Sequence, residues 1–258
     1  MKVQLLPSSF DSDRGISQHQ RLTSFVIDDK VAVDAGSLAF SCSDVQREAV
    51  RDIIVSHTHL DHIAGLPIFL DDLFGSLTEP VRIHLTREMA DILERDVFNG
   101  AIYPRFSELR NEHGKVIEYV RFIAGDTFTA AHLSVTAVEV NHNSPSFGFL
   151  VSDGTTEIGI TGDTAETTQI WEMLAASAKL SAIFVECAFP NEMARLASDS
   201  HHLTPARLAD ELKKIEHLEC RIFVSNIKAM YRDQVVDQLR SAAIPNVVIL
   251  EIGRIYEL

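Results

Sequence analysis

The chain has 258 residues, 46% of them hydrophobic and 23% charged, with a formal net charge of −14. That length suffices to bury a large core in one domain over residues 1–258, and the acidity, with no basic patch among the scattered lysines and arginines, disfavours a long nucleic acid as partner. No apolar run approaches the ~20 residues that span a bilayer, and the opening MKVQLLPSSF lacks a signal peptide's apolar stretch, so the expectation is a cytoplasmic protein with no membrane partner.

In chain order, strands are predicted at Val3–Leu6, Thr23–Ile27 and Val31–Asp34, the last closing VAVDAG. Ser43–Val50 reads as a short helix. Asp52–Ser56 is apolar and β-branched, hence a buried strand. His57-Thr58-His59-Leu60-Asp61-His62 follows as a loop, with Gly65 to relieve the backbone before a helix at Leu66–Phe74. Val81–Leu85 is a strand, and Arg87–Phe98 an amphipathic helix with Met89, Ile92, Leu93 and Val97 on one face. Strands resume from Lys115 and include Leu133–Val140, Phe147–Val151 and Glu157–Ile160. Thr164 is read as the N-cap of a helix carrying Ile170, Trp171 and Leu174. Ala182–Glu186 is a strand. Thr204 and Pro205 open a helix with Leu208, Leu212 and Ile215 on its apolar side. Arg221–Ser225 is a strand, Asp233–Ser241 a helix and Val247–Leu250 a last strand. The pattern suggests two sheets packed together with helices outside, an α/β layered sandwich. Cys42, Cys187 and Cys220 are far apart and odd in number; they read as small hydrophobes in a reducing compartment. Trp171 reads as core, and Asp71-Asp72 as a solvated helix face.

Three histidines and an aspartate within six residues ask for a chemical reason. His57 and His59, two apart, can point to one side of an extended loop. Asp61 and His62 are adjacent, so their side chains diverge unless the backbone turns. One ion would struggle to accept all four, whereas two ions would take His57 with His59 and Asp61 with His62, donors suited to zinc, manganese or iron. Each ion needs further ligands from elsewhere. His84 sits in an apolar strand, His132 before a strand and His217 near a helix end; structural roles suit all three. His142, in VNHNSPSFGF, and Asp163, in GITGDT, lie just past strands, where ligands gather in layered α/β folds. His142 completes the first ion's set and Asp163 is positioned to bridge both. Ser144 and Ser146 serve equally as phosphate contacts or turn formers.

This ordered set, HTHLDH followed by His142 and Asp163, resembles the metallo-β-lactamase fold over nearly the whole chain, and Asp34 in VDAG matches the acidic turn that supports the metal loop there. Within that fold, VSHTHLDHIAGL, FGFLV, ITGDT, IFVECAFPN and SHHLTPARLADEL resemble the class II cyclic-nucleotide phosphodiesterases, with related pieces in the tRNA 3′-processing endonucleases. The resemblance implies an αββα sandwich, two mixed β-sheets flanked by helices, with two divalent ions, zinc first and manganese or iron as alternatives. It implies metal-dependent hydrolysis of a small phosphodiester such as cAMP or cGMP, and extends by analogy to a homodimer. His202 takes over the catalytic role of the family's HLTP histidine, and His201 is its outward-facing neighbour.

In one place the sequence departs from the family. Where a His-Ile-Lys segment is expected, the chain has Asn226-Ile227-Lys228, so Asn226 stands at the position of a second-ion ligand and that ion is expected to be weakly held or absent. The expected mechanism places the first ion on His57, His59, His142 and Asp163, and the second on Asp61, His62, Asp163 and Asn226. A hydroxide between the ions attacks phosphorus, His202 stabilises or protonates the departing oxygen, Asp61 also holds the nucleophile, and Asp34 orients the metal loop. Competing readings are an RNA-processing nuclease, a lactone or thioester hydrolase, and a nucleotide sensor without turnover.

Overall fold

A computed structural model describes residues 1–13 and 15–258. Its strands form two seven-stranded sheets and a two-stranded hairpin. The first sheet contains β1 (Lys2–Leu5), β2 (Phe25–Ile27), β3 (Val31–Val33), β4 (Asp52–Ile54) and β5 (Val81–Leu85). The hairpin is β6 (Arg110–Asn111) with β7 (Gly114–Lys115), after which β8 (Ile117–Arg121) returns to the first sheet. The second sheet contains β9 (Thr127–Ala130), β10 (Leu133–Glu139), β11 (Phe147–Ser152), β12 (Glu157–Ile160), β13 (Leu180–Glu186), β14 (Arg221–Ser225) and β15 (Val247–Ile249). A final strand, β16 (Ile255–Glu257), crosses back to pair antiparallel with β1. Both sheets are mixed: β3, β4, β5 and β8 run parallel on one side, as β12 to β15 do on the other.

Alternation along β13 shows how two cores are separated. Ala182 and Phe184 face the space between the sheets, while Ile183 and Val185 face an outer layer of helices. The inner layer is tied by edge-on aromatic pairs that cross it, Phe25 to Phe184 at 5.4 Å and Phe122 to Phe147 at 5.2 Å. The outer layer is made by α6 (Gln169–Ala175), α8 (Pro205–Leu212) and α9 (Arg232–Ala242), which supply Ile170, Trp171, Leu174, Leu208, Val235 and Leu239. On the first sheet, α4 (Leu66–Leu73) and α5 (Arg87–Ile92) bury Phe69, Leu70 and Met89. The αββα sandwich is therefore as expected.

Several boundaries differ from the sequence reading. Thr164 does not cap α6: its backbone N–H donates to Glu186 Oε1 at 2.9 Å, and the helix starts only after Thr168. The predicted Arg87–Phe98 helix changes pitch at Leu93, where a π turn over Leu93–Val97 ends with Phe98 N–H donating to the Leu93 carbonyl. Part of the expected loop after β4 is one helical turn, α3 (Leu60–Ile63). Ser43 instead caps α2 (Asp44–Ala49) in a reciprocal box with Gln46. Trp171 is core, its indole N–H donating to the buried Glu211 carboxylate at 2.7 Å. Asp71 and Asp72 are exposed, and all three cysteines are free, two of them buried.

His84 is structural. Its Nε2 lies 2.7 Å from Asp52 Oδ1, and Arg82 grips the same carboxylate through Nε at 2.9 Å and Nη2 at 2.7 Å. Burial alone would raise the Asp52 pKa, but the bonds from His84 and Arg82 outweigh it and bring it to about 2. A folded pKa below the unfolded one stabilises the fold above pH ~4 and loses that contribution as pH falls through about 2, worth about 2 kcal/mol. Asp52→Asn should therefore lower urea stability at pH 7 by about that amount and flatten its dependence between pH 4 and pH 2. Parallel pH profiles for the two proteins would refute the assignment.

Candidate metal centre

The site lies where strands of both sheets reach their C-terminal ends. After β3 the chain turns at Asp34, which sits at φ +62° in the left-handed region that a non-glycine residue enters at a cost. Its buried carboxylate offsets that cost by accepting three bonds from the metal loop. Ser56 donates through its backbone N–H at 2.8 Å and its hydroxyl at 2.7 Å, and His62 Nδ1 at 2.7 Å. The loop backbone is held as well, by Thr23 N–H to the Asp61 carbonyl at 2.8 Å and Ala35 N–H to the His62 carbonyl at 2.7 Å. Gly36 makes this approach feasible, since a Cβ there would lie 1.9 Å from the Asp61 carbonyl oxygen. Asp34 thus ties the start of the metal loop and the His62 ring to the turn after β3.

His142 follows β10 and Asp163 follows β12, so they arrive from the second sheet. Their loops are tied together: Ala165 N–H donates to the Asn141 carbonyl at 2.7 Å, and Asn141 Nδ2 to the Glu166 carbonyl at 2.9 Å. Val140 N–H donates to the Ser146 carbonyl, which closes the turn around His142. The hydroxyls of Ser144 and Ser146 have no partner among the described residues. His201, also left-handed at φ +53°, is only half-buried, and its carbonyl accepts from His142 Nδ1 at 2.9 Å. It is thus more than an outward-facing neighbour.

These bonds select ring tautomers. His142 gives its Nδ1 proton to His201 and His62 gives its own to Asp34, so in each neutral ring Nε2 is the lone pair. His57 Nδ1 lies 3.0 Å from Ser56 Oγ, whose own proton goes to Asp34, so His57 is the donor and its Nε2 is also a lone pair. The lone pairs converge. His57 Nε2 and His62 Nε2 are buried with no hydrogen-bond partner, 3.9 Å and 3.4 Å from the Asp163 carboxylate oxygens. His142 Nε2 lies 3.1 Å from His59 Nδ1. Bonds of about 2.0–2.1 Å in a tetrahedral shell put neighbouring ligand atoms about 3.4 Å apart. The donor atoms of His57, His59 and His142 all lie within 4.8 Å of one another, as do those of His57, His62 and Asp163. Of the residues expected to hold the first ion, His57, His59 and His142 therefore fit a divalent metal together, while Asp163 groups with His57 and His62 and again with His142 and His202.

Of those expected to hold a second ion, His62 and Asp163 lie close together with His57, but Asp61 and Asn226 fit poorly. On α3 successive side chains point about 100° apart, so His62 turns inward while Asp61 turns away. Asp61 joins none of the close donor groups among the described residues, and its Oδ2 lies 3.3 Å from Lys228 Nζ. Asn226 does reach the site, but with its Nδ2 donating to Asp163 Oδ1 at 2.6 Å.

Burial pushes the imidazoles of His57 and His59 below the usual range, and that of His142 to about 4, so these three are neutral at pH 7. Burial opposes charge on His62 and His202 too, but is overcome by Asp163 and Asp34 for the first and by Glu186 for the second, and both are raised, so a metal on His62 Nε2 would displace a proton from it. Burial likewise works against Lys228, and Asp163 and Asp61 prevail. His202 is buried, its ring 5.0 Å from that of His142, and its Nδ1 donates to Glu186 Oε1 at 2.6 Å. Glu186 also receives the N–H groups of Thr164 at 2.9 Å and Ala188 at 3.0 Å. Sequence reasoning missed Glu186 and Lys228, although a carboxylate ending the apolar strand IFVE was a readable signal.

Residues 15–223 match a family model described as a beta-lactamase superfamily domain. Over 187 residues the chain is 26% identical to a probable 3′,5′-cyclic-nucleotide phosphodiesterase of Yersinia pestis, covering 66% of this chain and 52% of that one. A 3′,5′-cyclic-nucleotide phosphodiesterase of Aliivibrio fischeri is 28% identical over 206 residues, 70% of this chain and 60% of its own. The chain thus spans little more than half the length of these relatives. The crystal structure of unliganded yeast PDE1 superposes with a TM-score of 0.77 at 15% identity, covering 98% of both chains, a likeness of fold.

Replacing Asp34 by Ala should weaken zinc binding about 10–100-fold, as loss of a ligand-orienting carboxylate does, while His57→Ala and Asp163→Ala should remove the ion altogether. Competition with a chromophoric chelator measures both. Equal zinc affinity in Asp34→Ala and the wild type would mean that the carboxylate does not orient the ligands.

Proposed function

Because the chain belongs to the beta-lactamase superfamily, we propose that it is a metal-dependent phosphodiesterase hydrolysing 3′,5′-cyclic nucleotides such as cAMP or cGMP. The observation carrying this reading is the meeting of two devices at one point: the converging donors of His57 with His59 and His142 and of His57 with His62 and Asp163, and beside them a histidine–carboxylate pair, His202 with Glu186. An ion on the first set, zinc by the nitrogen-rich character of the donors, supplies Lewis acidity toward a phosphoryl oxygen and toward water. The chain's residues do the rest. Glu186 fixes the His202 ring and favours its charged form, so that Nε2 can give a proton to the departing ribose oxygen. Lys228, half-buried beside Asp61, offers positive charge to the phosphate.

The net charge of −14 favours a small substrate over a long RNA. A cytoplasmic location suits the three free cysteines. Among the described residues no helix is long and apolar enough to cross a membrane.

Zinc-loaded protein should turn over cAMP, cGMP and an aryl phosphodiester in preference to a lactone. His202→Ala should lower kcat about 10²–10⁴-fold with its zinc content unchanged. Lactone turnover with no phosphodiester cleavage would end this reading, and a His202→Ala enzyme of wild-type rate would remove His202 from it.

A further inference from the structure

Two of the side chains expected to hold a second ion are engaged by the protein itself. Asn226 presents its amide nitrogen to Asp163, 2.6 Å from Oδ1. For its oxygen to face a metal the amide would have to turn over, leaving that oxygen against the Asp163 carboxylate. The surroundings resist a shift of the whole residue. Its backbone is buried at φ +49°, its N–H donates to Gln20 Oε1 at 2.7 Å, and Gln20 is held in turn by Thr23 Oγ1 at 3.0 Å. Asp61 is fixed from below by Thr23 N–H on its carbonyl, and its carboxylate faces Lys228 at 3.3 Å. Lys228 is anchored by its own N–H on the Ala188 carbonyl at 3.1 Å, just beyond the β13 end that carries Glu186.

We propose that this centre works with one divalent ion, and that the Lys228 ammonium, steered by Asp61, supplies the positive charge a second ion would otherwise bring to a phosphate oxyanion. The substrate half of the proposal rests on the phosphodiesterase reading; the metal count stands apart from it. One ion is held by His57, His59 and His142, whose donor atoms lie within 4.8 Å of one another, with the Asp163 carboxylate 3.9 Å from His57 Nε2. Asn226 then serves as a hydrogen-bond donor that stabilises the Asp163 carboxylate. Asp61 holds an organic cation at the distance of a weak ion pair, loose enough for the ammonium to swing to a ligand.

The test counts metal and measures inorganic phosphate, with no reliance on turnover. Protein saturated with zinc is dialysed against metal-free buffer and analysed by elemental analysis. The wild type should retain one equivalent, and both Asn226→His and the double variant Asn226→His/Lys228→Met should retain two. Isothermal titration of inorganic phosphate into the zinc-loaded protein should show Lys228→Met binding about tenfold or more weaker at unchanged zinc content, the loss of one charge-assisted bond, with Lys228→Arg within a few-fold of wild type. Two retained equivalents in the wild type would overturn the single-ion arrangement, and no gain in Asn226→His would overturn Asn226 as its cause. Phosphate binding unchanged in Lys228→Met would overturn the role of the lysine. Circular dichroism establishes that each variant is folded, and if Lys228→Met is not, Lys228→Gln takes its place. A chain that hydrolyses some other bond would leave the metal count and the phosphate affinity to be judged by themselves.

Discussion

The centre depends on one buried carboxylate. Asp34 accepts the Ser56 backbone N–H, the Ser56 hydroxyl and His62 Nδ1, and those three bonds do separate jobs. The first sets where the chain leaves β4. The second uses up the Ser56 proton, so that the hydroxyl oxygen accepts from His57. The third aims His62 inward. Proton placement on two imidazoles thus follows from a residue that touches no ion, and a buried charge so surrounded is compensated by hydrogen bonds that would each be costly to leave unmade.

Around that anchor the backbone accepts strain at chosen points. Asp34, His201 and Asn226 all take left-handed φ values, and each does so where a strand or helix has just ended beside the site. A left-handed residue reverses the chain more sharply than an ordinary turn, which brings a side chain back over a strand end instead of letting it run past. In each case fixed hydrogen bonds hold the residue, as expected where strain persists near function. The loops after β10 and β12 are laced through Asn141 to each other and, by its Oδ1 at 2.8 Å from His201 Nδ1, to the segment preceding His202.

Much of the centre was legible in sequence because coordination chemistry needs rare side chains at short spacing. HTHLDH, and a histidine and an aspartate each just past a strand, are hard to explain by packing. The two-sheet sandwich was legible from alternation and β-branched runs, and His84 from its apolar setting. What escaped depends on distance or brevity. Asp61 and His62 part company because four residues form a helical turn too short to leave a periodic trace. Three-residue β16 gives no pattern of its own. Thr164 looked like a cap by residue type, but its N–H is taken by Glu186, 22 positions away. Glu186 meets His202 across 16 positions, and Lys228 meets Asp61 across 167, so neither pairing has a local signature.

The placement of donors on opposite layers would make a bound ion a strut as well as a reagent. His57 and His59 belong to the first sheet's loop, His142 and Asp163 to the second's, and between these segments the direct backbone link is Phe147 N–H to the Ser56 carbonyl at 3.0 Å. Whatever binds the assembled donors and not the unfolded chain adds its binding energy to the fold, about 4 kcal/mol when free metal exceeds the dissociation constant a thousandfold. Loss of a metal from this centre would therefore take a bridge between the two halves with it, leaving that rim to contacts such as Phe147 N–H on the Ser56 carbonyl, Asn226 N–H on Gln20 and Lys228 with Asp61.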